Sequence, residues 1–179
     1  MRIINPATEE PIKEIPEDNA ETIAGKFQLL QTGQTPWSAV PLAERISCIR
    51  KFYALLDEQK DDLAKTLTSE MGKPLQQSYN ELNGARNRIK FFIDNSSKWL
   101  AEEWITIEGA TKEKISYEPL GIIANISAWN YPYLVGVNVF IPALIGGNAV
   151  FYKPSESATI TGLAIQQLLY HSGIPQNVF

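Results

Sequence analysis

Four side chains able to recognise a ligand stand at two junctions near the end of this chain. The first junction is "SAWNYP", residues 127–132, where Asn130 follows the apolar run "GIIANIS" and Pro132 opens another. The second is "YKPSE", residues 152–156, where Lys153, Ser155 and Glu156 follow the apolar "NAVFY". An amide at such a point is either a cap for the next element or a donor aimed at a ligand. A carboxylate after the second strand of a dinucleotide fold accepts hydrogen bonds from ribose hydroxyls, and Glu156 stands in that place. Cys48 and His171 offer further chemistry, each with a plainer role. Cys48 falls among Ile49, Phe52 and Leu55 on an apolar helical stripe, where a free cysteine is a small core residue. His171 precedes Ser172 and Gly173 at a helix end, where a cation suits the helix dipole.

The elements that must position these groups follow from the pattern. Strand, helix, strand, helix is the order of a parallel sheet covered by helices. "GIIANIS" and "NAVFYKP" read as the strands, with helices over roughly 133–145 and along "ATITGLAIQQLLYHSG" to Gly173. Ligands bind beyond the carboxyl ends of such strands, so Asn130 and Lys153–Glu156 are expected on one rim. No GxGxxG follows the first strand, and Gly146-Gly147 falls at a helix end. The residues alone leave two readings open: a nucleotide-binding α/β unit, or two caps on a buried sheet.

Upstream, "RIINPATEEPIKEIPE" reads as an extended ribbon kept at an edge by Pro6, Pro11 and Pro16. A helix is expected from Asp18, in capping-box spacing with Glu21, with Ile23, Phe27 and Leu30 inward and Gly33 as its stop. One long helix follows "PLAERISCIRKFYALLDEQKDDLAKTLTSEMGKP", lined by Ile46, Ile49, Phe52, Leu56, Leu63 and Leu67. Gly72 and Pro74 end it. Another covers roughly 76–100, with Leu82, Ile89, Phe92 and Ile93 inward. Residues 102–118 alternate apolar and polar around Gly109, the pattern of a hairpin.

The chain has 179 residues, 44% of them hydrophobic and 20% charged, which is the composition of a globular domain. A net charge of −4 and a pI near 5.1 argue against a nucleic-acid surface. With Cys48 as the sole cysteine no internal disulfide forms, which fits a reducing, cytoplasmic setting. "YLVGVNVFIPALIGGNAVFY" approaches the length of a membrane span but is broken by Asn138, Pro142, Gly146, Gly147 and Asn148. Two buried elements meeting at "GGN" are expected instead, and no membrane partner. No secretory h-region opens the chain, and no metal-ligand spacing is present.

"YEPLGIIANISAWNYP", "PALIGGNAVFYKPSE" and "HSGIPQNVF", together with "SEMGKP" and the opening "INPAT", resemble the aldehyde dehydrogenase superfamily along the whole chain. "AWNYP" and "YKPSE" look most similar to its betaine-aldehyde and succinic-semialdehyde types. The resemblance implies an α/β fold made of N-terminal helices and the first strands of a Rossmann-like parallel sheet, with residues 102–118 as a protruding oligomerisation hairpin. Residues 1–179 would then be the N-terminal part of a cofactor-binding domain, an incomplete aldehyde dehydrogenase fold without its catalytic domain.

The resemblance also implies NAD- or NADP-dependent oxidation of a small-molecule aldehyde to an acid. Asn130 matches the asparagine whose amide stabilises the oxyanion, and a neutral donor does so without repelling the cofactor. Ser127, Ala128 and Trp129 match the strand end bordering the cofactor. Lys153 and Glu156, with Ser155 beside them, match the grip on the adenosine ribose. A carboxylate there would repel a 2′-phosphate, which leans the expectation toward NAD. Tyr131 and Tyr133 line a substrate tunnel by family analogy, or pack. Val139 stands where many members have a lysine nine positions after the asparagine, so that lysine's proton-relay role does not transfer. The family's glycine-rich loop, general-base glutamate and nucleophilic cysteine come later than Phe179. The chain alone is therefore expected to be inactive, and to self-associate or pair with a C-terminal part of the enzyme. The alternative is a non-catalytic binding or assembly fragment.

Overall fold

The computed structural model describes residues 1–108 and 111–179. A ribbon of β1 (Arg2–Ile4) and β2 (Pro11–Glu14) leads into four helices: α1 (Ala20–Ala39), α2 (Leu42–Glu58), α3 (Lys60–Met71) and α4 (Leu75–Trp99). A second antiparallel pair follows, β3 (Glu103–Thr106) with β4 (Glu113–Ile115). The Gly109 turn expected between them lies outside the described residues. The chain then runs β5 (Ile122–Ile126), α5 (Pro132–Ile145), β6 (Ala149–Lys153), one 3-10 turn (Glu156–Ala158) and α6 (Thr159–His171). The expected α/β class, helices followed by a parallel strand pair, is what the structure has. Among the described residues no helix is long and apolar enough to cross a membrane.

β5 and β6 pair in parallel, in register from Ile122 opposite Ala149 to Ile126 opposite Lys153. Successive strand residues face opposite sides of a sheet. The Phe151 ring meets Phe27 of α1 at 6.2 Å between centroids, and the Tyr152 ring meets Phe140 of α5 at 6.0 Å. So α1 and α5 cover opposite faces. On the α5 side the core continues into the helical layer, where Phe52, Leu56, Leu67, Leu82, Ile89 and Leu144 have no exposed surface. Each such side chain contributes ~1.5–3 kcal/mol on leaving water.

Two expectations are corrected at α1. Asn19, not Asp18, is the N-cap: its Oδ1 accepts from Thr22 N and its own N–H donates to Thr22 Oγ1, both at 2.9 Å. Asp18 instead pairs with Lys26 at 2.5 Å. Gly33 does not stop the helix, which runs six residues further. A Cβ there would sit 1.9 Å from the Asn177 carbonyl oxygen, so Gly33 serves a close chain crossing. Only this C-terminal half of α1 is buried, through Leu30, Gly33 and Trp37; Ile23 and Phe27 are 45% and 40% exposed, contrary to the expected stripe.

The expected single helix over 42–71 is two, α2 and α3, meeting at Gln59 (φ −103°, ψ 13°). The apolar stripe continues across the bend, and periodicity cannot report a break that preserves the inward face. Gly72 ends α3 in the left-handed conformation (φ 73°), its N–H donating to Thr68 O at 2.8 Å. The β3–β4 pair is exposed except at Thr106, which is half-buried.

Candidate functional site

The parallel pairing of β5 and β6 sends both exits to one rim. Ser127 N donates to Lys153 O at 2.9 Å, carrying the ladder one step past the strands. Ser127 is buried and Ala128 half-buried, whereas Trp129 (60% exposed) and Asn130 stand out from the surface. Trp129 from the first exit shares an open hollow with Glu156 and Ser157 from the second, walled also by Ile3, Glu70 and Met71. The two junctions singled out in the sequence therefore meet on one face.

At the second exit Lys153 Nζ lies 3.3 Å from Glu156 Oε2, and both side chains are mostly exposed. The Ser155 hydroxyl is 3.4 Å from the same carboxylate oxygen and also accepts from Ser157 N, capping the 3-10 turn. The Glu156 carboxyl is held below the ordinary carboxylate range, first by its own backbone N–H and then by Lys153. An ionised carboxylate with a neighbouring ammonium and hydroxyl can accept from, and donate to, vicinal hydroxyls.

The first exit is held by residues that the sequence reading did not single out. Tyr131 is the N-cap of α5 and makes no side-chain cap. Glu81 of α4 supplies one: its Oε1 accepts from Tyr133 N at 2.8 Å and Leu134 N at 3.4 Å. Its other oxygen takes Lys73 Nζ at 2.6 Å, with the Glu81 side chain fully buried and Lys73 12% exposed. Lys73 also donates to the Asn130 carbonyl at 2.8 Å and lies 4.6 Å from the Tyr131 ring centroid. At the far end of α5, Trp37 Nε1 donates to Leu144 O and Arg45 Nε to Ile145 O, both at 2.9 Å. An anion at the N-terminus and a cation at the C-terminus both match the helix dipole.

The second helix has a parallel arrangement. Ala158 cannot cap α6, and Glu70 of α3 reaches in: Oε1 accepts from Ile160 N at 2.6 Å, and Oε2 from Thr161 N and Oγ1 at 2.9 Å. Burial pushes the Glu70 carboxyl above its ordinary range against these hydrogen bonds. The sequence carried one signal for such partners: neither α5 nor α6 begins with a residue able to cap it, and buried helix ends require partners.

The other candidates fall where expected. Cys48 is half-buried on α2, and burial raises its thiol, away from a reactive thiolate. His171 is exposed at the last turn of α6. Tyr133 is fully buried and packs rather than lining an open tunnel, its phenol pushed well above the ordinary value by burial. Tyr131 is exposed.

A family model described as the aldehyde dehydrogenase family matches residues 1–179. The chain belongs to that family. It is 29% identical over 180 residues to a 3-sulfolactaldehyde dehydrogenase of Pseudomonas putida, covering 99% of this chain and 36% of that protein. The structure of a succinate-semialdehyde dehydrogenase from Burkholderia pseudomallei superposes with a TM-score of 0.91 at 30% identity, over 99% of this chain and 37% of the other. An NADP-dependent glyceraldehyde-3-phosphate dehydrogenase from Bacillus halodurans, complexed with NADP, gives 0.92 at 25% identity, over 99% and 38%. The chain thus spans little more than a third of the length of the relatives it matches. The lean toward NAD finds no support among these relatives.

Proposed function

We propose that these 179 residues form the cofactor-side portion of an NAD(P)-dependent aldehyde dehydrogenase that oxidises a small-molecule aldehyde to a carboxylic acid. One observation carries this reading: the exits of two paired parallel strands bring the Asn130 segment and Glu156 to one rim. Glu156 and Lys153, exposed and beside Ser155, fit the hydroxyls of an adenosine ribose, with Ser127, Ala128 and Trp129 forming the adjoining strand end. The nicotinamide cofactor, when bound, accepts the hydride. Asn130 donates its amide N–H to the oxygen on which negative charge develops. A donor in that role contributes ~2.7–4 kcal/mol of transition-state stabilisation. Cys48 takes no part as nucleophile, so the chain by itself turns over no aldehyde.

The test is fluorescence titration of the chain with NADH and NADPH, beside Glu156→Ala. Affinity for one or both nucleotides should fall about tenfold in the variant. Equal affinities in the two proteins would remove Glu156 from the site.

A second reading, an assembly piece without catalytic duty, is favoured by exposed apolar groups on and beside the hairpin: Trp104, Ile105 and Ile107 are 52%, 56% and 66% exposed, and Leu120 87%. Self-association through this face is compatible with the first reading. Light scattering decides whether it happens: a monomer across the micromolar range would dismiss it.

A further inference from the structure

We propose that Lys73 and Glu81 are the positioning residues for Asn130, a single buried ion pair that fixes the carbonyl of Asn130 and the first turn of the next helix together. The inference rests on the reading of Asn130 as an oxyanion donor, and it names what holds that donor in place. Residues 127–131 form the irregular exit between β5 and α5, and the Asn130 side chain is exposed on it. An exposed donor keeps a fixed direction only if its backbone is tied on both sides.

Three ties are present. Upstream, Ser127 N is held by Lys153 O; at the residue itself, Lys73 Nζ holds the Asn130 carbonyl; downstream, Glu81 Oε1 holds Tyr133 N. The last two converge on one ion pair, since Lys73 Nζ also grips Glu81 Oε2 at 2.6 Å. Lys73 is itself aimed by its neighbours: Gly72 ends α3 in the left-handed region, and Pro74, extended at the N-cap position, leads into α4. Displacing a catalytic group by about 1 Å can cost on the order of 10²-fold in rate, which is what such a clamp prevents. Glu70 gives an internal control. It is the same kind of carboxylate serving the same kind of helix end, but its hydrogen bonds run to Ile160 and Thr161 and not to the Asn130 segment.

The experiment is ¹⁵N relaxation on the full chain, read at the backbone amides of Asn130 and Tyr131 and at the Asn130 side-chain amide. Lys73→Met should lower the backbone order parameters there from about 0.85 to about 0.6 or below, with the side-chain amide following. Glu81→Gln should do the same, because it sets an amide donor against the ammonium. The double variant should be no looser than the worse single, as expected of partners in one interaction. Glu70→Gln should leave these amides unchanged, although it too perturbs a buried helix end. Should Lys73→Met fail to fold, Glu81→Gln decides. Unchanged order in the foldable variant, or an equal loosening by Glu70→Gln, overturns the proposal. Neither readout needs turnover, so this result stands or falls apart from the proposed chemistry.

Discussion

The starts of α5 and α6 face one problem and solve it differently. Each helix follows a strand of the same sheet, each begins at a residue that cannot cap it, and each receives a carboxylate from the helical layer, Glu81 for α5 and Glu70 for α6. At α5 the carboxylate is neutralised by Lys73. At α6, the hydrogen bonds described run to two backbone N–H groups and a hydroxyl, with no ion pair among the described residues. A charged pair stands where irregular backbone must present a side chain outward; a lone carboxylate suffices where Ser155 and a 3-10 turn have already organised the entry locally.

The largest expected effect tests this difference directly. Glu81→Ala leaves Lys73 almost buried without its anion and strips Tyr133 N and Leu134 N of their acceptor. Breaking a buried pair from one side costs about 3–5 kcal/mol. Glu70→Ala loses hydrogen bonds to a charged acceptor without orphaning a cation, for which about 1.5–3 kcal/mol is expected. Urea unfolding of both variants checks the order; equal losses would mean that Lys73 contributes nothing to the contrast.

A smaller effect separates the two by pH. Burial raises the folded-state value of Glu70 above the 4.5 ordinary for a glutamate. Between the two values the folded state binds more protons than the unfolded one, so stability falls as pH rises through that window. The Glu70 contribution is therefore fully present below the ordinary value and is lost as pH climbs past the raised one. Glu70→Gln should flatten this slope in melting temperature against pH, whereas a slope unchanged by the substitution would assign it to other groups.

How far the sequence reached can be judged from the same residues. The order of α5, β6 and α6, and hence the shared rim, was legible because apolar runs and Gly/Pro punctuation are local signals. So was the inward face of α2 through α4, where Phe52, Leu67, Leu82 and Ile89 keep one stripe. The bend at Gln59 was not, because it conserves that stripe. Gly33 misled because the contact that requires a glycine comes from Asn177, far along the chain. Glu81 and Glu70 act across 52 and 91 residues, and no periodicity links a helical glutamate to a remote amide. Asn130 was conspicuous from its surroundings, while the pair that holds it looked like ordinary charges on a helix.

The smallest structural effect is expected at the exposed end of the comparison, the Lys153–Glu156 pair. Its geometry is looser than that of Lys73–Glu81, 3.3 Å against 2.6 Å, and water screens it. Glu156→Gln should leave the melting temperature where it is. Its effect should surface only in binding: with the carboxylate gone, Lys153 faces the ribose without an opposing charge, so the preference for NADPH over NADH should rise about threefold or more. Parallel titrations with the two nucleotides measure that ratio. A melting shift as large as that of Glu70→Ala would make Glu156 a structural cap of the 3-10 turn, and an unmoved ratio would show that its charge does not reach the 2′ position.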